Sequence, residues 1–497
     1  MCLLSRRCRW LRQSPWLRLV GLFWCDVGRE QMKKYDIQPT EENIKESLKD
    51  NVTGRNENVY QLLQLLNHQE GSWSIAINGD WGSGKTFFVK QCKYVLDCLN
   101  SSDDSQKGNI NSEKLFNKEN LDDIDKKPFR TIYYDAWEHD NETDPIQSLL
   151  ACIATSNWAS NPKLKDTIRK TADIGVNLLK VITPKRGEAV EDLINLVDKK
   201  AKDYKDKVDL EKLKKEFYDA LVELAPEDGK LIVFVDELDR CKPTYAIKVL
   251  ERIKHYFSVP NITFIFSVDL SQLQNTVKRY YGEEFDGYHY LDRFFDLVIN
   301  LPEPDLDNYL KNTDGMLVLN NLFDTWADDN YCNHFCKDLI AHFSFSLRQI
   351  NHFYLKTNSV TYNLLSNVLD DRSRLGSSEK NGLFIVYCFF LPLMCALNQA
   401  NIDEFNKFIR GRASDNVLDF LANNSQFDTY YKDISSDSND KKDTSTFTRE
   451  IYNALFNGTE RNDHLVISDT AYIDRLSIYK DRLIKACSLL DSNTKLD

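Results

Sequence analysis

Eight consecutive residues carry the sharpest chemical signal in this chain: Gly79-Asp80-Trp81-Gly82-Ser83-Gly84-Lys85-Thr86. They match G-x-x-x-x-G-K-[ST], a spacing that cradles phosphates. Glycines let the backbone curl so that successive N–H groups point inward at phosphate oxygens. A helix starting just after them adds its positive amino end. Lys85 is then placed to bridge the β- and γ-phosphates of a triphosphate, and the Thr86 hydroxyl to ligate Mg²⁺. All eight residues, Gly79 to Thr86, are expected to line the nucleotide. The competing reading is a glycine-rich turn with an exposed lysine. The spacing does not fit G-x-G-x-x-G, which disfavours a dinucleotide fold.

Binding alone is not hydrolysis, which needs acids. The apolar run Leu231–Val235 delivers Asp236 and Glu237 at its end. Asp236 is expected to hold Mg²⁺ through water, and Glu237 to act as general base on the attacking water. The plainer alternative is an acidic strand-to-helix loop that caps a helix. Ser267 and Asp269 end the next apolar run, where either could meet the γ-phosphate or simply close a turn. Arg240 is expected to brace the acidic loop through an ion pair.

These residues need elements to hold them. Short apolar runs recur at Trp73–Ile77, Thr131–Tyr134, Leu231–Val235, Ile262–Val268 and Leu297–Leu301. Leu231–Val235 is apolar at every position, as in a strand buried on both faces of a parallel sheet. Helical patterns lie between the runs: Phe88, Cys92, Val95 and Leu99 after the first, and Ala246, Val249, Leu250, Ile253 and Phe257 after the third. The fold expected is α/β: a three-layer phosphate-loop domain with a mostly parallel five-stranded sheet, followed by an all-helical C-terminal region. The domain is placed at 32–303, with a polar insertion at 100–128 and a helical one at 145–230. Residues 304–497 form the helical lid and C-terminal domain. The site falls outside the carboxyl ends of the strands, where open α/β sheets bind ligands.

Composition sets the limits. The chain has 497 residues, 42% of them hydrophobic and 28% charged, which excludes collagenous or wholly disordered classes. Its 64 basic and 76 acidic residues give a net charge of −12, a poor basis for nonspecific nucleic-acid binding. Twelve cysteines over this length do not make a disulfide framework and suit a reducing cytoplasm. Cys332-x3-Cys336 with His334 and His342 lacks the paired spacing of common zinc sites. The longest apolar stretch, Gly382–Leu397, is short for a membrane span and contains Pro392, so a buried core helix is expected. Residues 1–31 differ from the rest. Six arginines and three tryptophans face only Asp26 and Glu30, and the stretch reads as an extension upstream of a start at Met32.

Taken together, these motifs resemble the KAP family of P-loop NTPases. The resemblance rests on the tryptophan before the second loop glycine, on Tyr133-Tyr134-Asp135-Ala136-Trp137, on Asp236-Glu237-Leu238-Asp239-Arg240-Cys241-Lys242-Pro243, on Tyr290-Leu291-Asp292-Arg293 and on Ser346-Leu347-Arg348-Gln349-Ile350. It covers about residues 50–360. Many members carry two membrane spans between the phosphate loop and the acidic strand; residues 145–230 hold only short apolar pieces, so this chain is similar to the soluble members. The resemblance implies ATP and Mg²⁺ as ligands and an ATP-hydrolysing conformational switch. In related ring-forming ATPases the position of Arg293 supplies an arginine to a neighbouring subunit, which implies a homo-oligomer. Arg348, in the lid, would touch the γ-phosphate from the same chain. In similar ATPases a segment such as Thr53-Gly54-Arg55 lies beside adenine. Soluble bacterial members are associated with phage exclusion. No guanine-reading N-K-x-D is present; Asn117-Lys118-Glu119-Asn120 stops one residue short. Two other classes compete: a nucleotide-gated scaffold with negligible turnover, and a small-molecule kinase. The residues leave open whether 304–497 meets a protein or a nucleic acid.

Overall fold

The computed structural model describes residues 38–100, 115–116, 127–182, 210–312, 331–368, 383–436, 442–458, 465–468, 471–473 and 476–488. The arginine-rich first 31 residues, most of the polar insertion at 100–128 and the Asn117–Asn120 segment lie outside them. The described residues fall into two compact units, within Gln38–Asn312 and within Thr313–Asp497.

The first unit opens with helices α1 (Glu41–Asp50) and α2 (Asn56–His68), then strand β1 (Trp73–Asn78) and helix α3 (Lys85–Leu99). Strand β2 (Phe129–Asp135) is followed by α4 (Pro145–Thr155), α5 (Pro162–Ile182) and α6 (Leu210–Leu224). Strand β3 (Lys230–Asp236) leads into α7 (Pro243–Arg252), which continues as a π-helical turn over Ile253–Phe257. The unit ends with β4 (Ile262–Val268), α8 (Leu270–Tyr281), α9 (Gly287–Asp292), β5 (Leu297–Asn300) and α10 (Leu306–Asn312).

The five strands form one sheet in the order β2-β3-β4-β1-β5, and every pairing is parallel. Parallel strands need helical crossovers, which cover both faces of the sheet. That explains why β3 and β4 are buried at every position. Side chains alternate across the sheet. Ile75, Ile77, Ile232, Phe234 and Ile265 pack with Val59, Leu63, Phe88, Cys92 and Val95 of α2 and α3. Ala76, Val233, Val235, Phe264 and Phe266 pack on the other face with Leu149, Phe217, Ala246 and Leu250. Each such burial contributes roughly 1.5–3 kcal/mol, which fixes strand register.

Register brings the carboxyl ends level. Asp236 pairs with Ser267, Ser267 with Ile77, and Asn78 with both Val268 and Asn300. Because β4 lies between β1 and β3, the phosphate loop and the acidic pair are separated by two strand spacings, about 10 Å.

The second unit is mostly helical: α11 (Tyr331–His342), α12 (Leu347–Val368), α13 (Leu391–Ala400), α14 (Ile402–Ile409), α15 (Asp415–Asn423), α16 (Ser425–Ile434), α17 (Thr444–Phe456) and α18 (Leu476–Ser488). A π-helical turn at Val386–Phe390 precedes α13. The continuous apolar helix Leu383–Ala400 is long enough to cross a membrane, but 83% of it is buried inside the structure. It is a core helix in this unit, as expected. A short antiparallel pair, β6 (Leu465–Ser468) with β7 (Ala471–Ile473), interrupts the helices.

Candidate functional site

Asn78 ends β1, and the chain turns into the glycine-rich loop. Gly82 and Gly84 take φ of 84° and 93°, a left-handed backbone that glycine adopts without a steric penalty. A Cβ at Gly79 would lie 2.9 Å from Ser83 Oγ. Helix α3 then begins at Lys85, with Gly84 at its cap and no capping side chain. Its first amides are therefore not taken by a cap and suit an anion.

Lys85 is 8% exposed. Its Nζ donates to Gly79 O at 2.6 Å and Asp80 O at 3.1 Å. Burial lowers its pKa, opposed in decreasing order by Asp239, Asp269, Asp236 and Glu237. Four carboxyl groups thus act on this one ammonium, and one of them, Glu237, is itself paired with Arg240.

Asp236 is buried at the end of β3. Its Oδ1 accepts from Glu237 N at 2.9 Å, and its Oδ2 from the Tyr133 hydroxyl at 2.7 Å. Both oxygens are oriented by the protein, which suits a carboxylate meant to orient a hydrated metal rather than pair with a cation. Glu237 follows in a left-handed conformation, φ 57° and ψ 26°. Burial, then the neighbouring Asp236, push its carboxyl up to about 7, against the pull of Arg240. Arg240 Nε lies 2.5 Å from Glu237 Oε2, the ion pair expected from sequence.

Sequence reasoning assigned no role to Asp239. It is buried, and its Oδ2 accepts from Trp81 Nε1 at 2.5 Å and from Asp269 N at 3.3 Å. One carboxylate therefore ties the phosphate loop to the ends of β3 and β4. Burial raises its pKa, opposed by the Trp81 bond and by Lys85. The signal was present in the pairing of a loop tryptophan with the third acid of the Asp236–Asp239 run, but nothing local joins them.

Arg55 is a second brace that was missed. It is buried, and its guanidinium donates to Ser83 O at 2.8 Å and to Pro302 O. Burial lowers its pKa to about 10. It ties the glycine loop, through the Ser83 carbonyl, to the chain that follows β5, so the Thr53–Arg55 segment is built against that loop. Gly54, at φ 71°, packs so closely that a Cβ would lie 2.5 Å from Asp305 Cβ.

Two hydroxyls near the loop are buried without a hydrogen-bond partner, Ser83 Oγ and Ser267 Oγ. Ser267 is 1% exposed and sits in register between Asp236 and Ile77. A buried polar group without a partner is uncommon, and of the two candidates Ser267 is the one whose side chain is not already engaged. The Asp269 side chain is spent capping α8, accepting from Ser271 N and Gln272 N.

Two other arginines were candidates. Arg293 is exposed, just past α9 and ahead of β5. Asp296, three residues on, bonds to Ser74 at the start of β1. Arg293 is thus at the amino end of the sheet, away from its own phosphate loop by about the length of β1, roughly 20 Å. Among the described residues it has no ion-pair partner. Arg348 is exposed near the start of α12 in the second unit. Cys332 and Cys336 are buried in α11, where they pack among helices.

The model of one protein family, described as the KAP family P-loop domain, matches residues 55–364. A search among curated proteins finds no match. The match spans more than half of the chain, and the chain belongs to the KAP family of P-loop NTPases.

Proposed function

We propose that this KAP family chain binds ATP with Mg²⁺ and hydrolyses it, using the cycle as a conformational switch. The observation that carries the reading is the buried Lys85, held by the Gly79 and Asp80 carbonyls at the start of α3, with Asp236 buried at the end of β3 two strands away. The carboxyl groups of Asp239, Asp269, Asp236 and Glu237 oppose the lowering of its pKa, and such acids beside an anion-binding loop favour an anion that brings a cation with it.

In this reading the triphosphate displaces the Gly79 and Asp80 carbonyls from Lys85. The loop amides of Asp80 to Thr86 and the first turn of α3 then orient its oxygens. Thr86 and Asp236 hold the Mg²⁺, which supplies charge neutralisation on the phosphates. Ser267 Oγ donates to the γ-phosphate or holds the attacking water. Glu237 takes the water's proton, and a carboxyl pushed up to about 7 is matched to that task. Asp239 keeps Trp81 and the loop in place throughout.

Arg293 cannot reach this site from its own amino end of the sheet, so its catalytic role requires a neighbouring copy and a homo-oligomer. Arg348 is assigned the γ-phosphate from the lid. ATP is preferred to GTP for want of a guanine-reading motif. Cytoplasmic location and a part in phage exclusion follow the family's soluble bacterial members. Equal plaquing by wild type and Lys85→Ala would remove the last idea.

The test is phosphate release from Mg-ATP beside calorimetry. Wild type should bind and hydrolyse, and Glu237→Gln should bind with about a hundredfold or greater loss of turnover. Equal turnover in both sinks Glu237 as the base. A second reading, a nucleotide-gated scaffold with negligible turnover, is favoured by one observation: the candidate base is already held by Arg240.

A further inference from the structure

We infer that Arg240, seated on Trp137, restrains Glu237, so that turnover in the resting chain is limited by release of this ion pair. The inference rests on the hydrolytic reading above and adds a control to the same site.

The geometry is local and specific. Glu237 Oε2 lies 2.5 Å from Arg240 Nε, and both side chains are partly withdrawn from water. The Arg240 guanidinium lies over the Trp137 ring, 5.5 Å from its centroid. The guanidinium is therefore flanked by a carboxylate and an indole. An oxygen engaged by a guanidinium has a lone pair occupied, so it is not free to accept a hydrogen bond from the attacking water.

The backbone holds both partners in place. Arg240 N donates to Glu237 O, closing the short turn that follows β3. Trp137 sits on the turn after β2, where Asp135 Oδ1 accepts from Trp137 N at 3.0 Å and Glu138 N at 3.1 Å. Ala136 N donates to Asp236 O, and Lys242 N to Asp140 Oδ2. The two turns are thus bonded to each other on either side of the stacked pair. Yet Trp137 is 52% exposed, although such a ring normally seeks burial. Its solvent-facing side is a handle by which a movement of the β2 turn reaches Arg240 and hence the base.

This arrangement separates Arg240 from an arginine that stabilises the transition state. A stabilising arginine faces phosphate, and its loss slows the reaction. A restraining arginine faces the base, and its loss quickens the reaction while leaving the nucleotide's seat alone.

The experiment compares wild type, Arg240→Ala, Trp137→Ala, Glu237→Gln and the double variant Arg240→Ala/Glu237→Gln. Steady-state phosphate release gives kcat and KM, and calorimetry gives Kd for Mg-ATP. Arg240→Ala should raise kcat about three- to tenfold with KM and Kd unchanged, and Trp137→Ala should raise it by less. The double variant should be no faster than Glu237→Gln, because the gain must pass through the carboxylate. A fall in kcat on Arg240→Ala with Kd intact overturns the restraint alone. So does a gain that survives in the Glu237→Gln background. Binding without phosphate release in every variant overturns the restraint together with the hydrolytic reading, and that pattern is distinct from either of the others.

Discussion

Two lysines are buried at opposite ends of one sheet. Lys85 is 8% exposed at the carboxyl end, and Lys230 is 3% exposed where β3 begins. Each donates to two main-chain carbonyls: Lys85 to Gly79 O and Asp80 O, Lys230 to Leu66 O and Gln69 O. Burial lowers the pKa of both. Their surroundings differ. Four acids oppose the shift at Lys85, whereas at Lys230 Lys127 reinforces it and only Glu70 opposes it. The carbonyls beneath Lys230 lie in the last turn of α2 and at its cap. Those beneath Lys85 belong to the glycine-rich loop, where Gly82 and Gly84 are left-handed. In the proposed function, then, similar bonds serve a permanent joint at one end and an exchangeable seat at the other.

The largest expected effect breaks the comparison cleanly if it fails. Lys85→Ala should cut kcat/KM for ATP by about a thousandfold or more while the melting temperature barely moves. Lys230→Met should do the reverse. It strands two buried carbonyls at a cost of about 2 kcal/mol or more, and leaves Kd for nucleotide unchanged. Denaturant unfolding and calorimetry on both variants decide the matter. Loss of nucleotide affinity in Lys230→Met would show that the two ends are not independent.

A smaller effect sharpens the picture at the carboxyl end. Trp81→Phe keeps the ring and removes the indole N–H that Asp239 accepts. A bond to a charged acceptor is worth about 1.5–3 kcal/mol, so nucleotide affinity should fall by about tenfold. Asp239→Asn should act in the same direction. The double variant should be little worse than either single one, because both remove one shared contact. Additive losses would mean that Asp239 acts mainly through Lys85 or the Asp269 amide.

Much of this was legible in the chain. The five strand runs were found within one or two residues because strands buried on both faces are continuous apolar segments. The phosphate loop was legible because of its G-x-x-x-x-G-K-[ST] spacing, and two of its glycines, Gly82 and Gly84, sit at positive φ. Asp236 and Glu237 were legible because a buried strand has few reasons to end in two acids. What stayed hidden depends on residues distant in sequence. Trp81 and Asp239 are 158 residues apart, and Arg55 finds Ser83 and Pro302 only after β1 and β5 pair. The lack of a hydrogen-bond partner at Ser267 Oγ is a property of the packed sheet, not of any motif. The hairpin of β6 and β7 escaped because three- and four-residue strands carry too little alternation to register. The placement of Arg293 was deducible, since a residue ahead of a parallel strand belongs to the amino end.

The smallest effect isolates Lys230 by its proton. Its pKa is lowered to about 8, first by burial and then by Lys127, from an unfolded value near 10.5. Between those two values the unfolded chain binds more protons at this site than the folded one. Stability therefore rises with pH across that window as far as Lys230 is concerned. Below about pH 8 the folded chain keeps a buried ammonium and bears the full cost of its burial. Other groups titrate in the same range, and buried tyrosines and thiols pull the opposite way. The measurement is accordingly a difference. Unfolding free energies of wild type and Lys230→Met, taken from pH 7.5 to 10, should converge as pH falls and separate in favour of wild type as it rises. A constant gap would mean that Lys230 keeps an ordinary pKa, with water reaching its ammonium, and the contrast with Lys85 would then reduce to the acids alone.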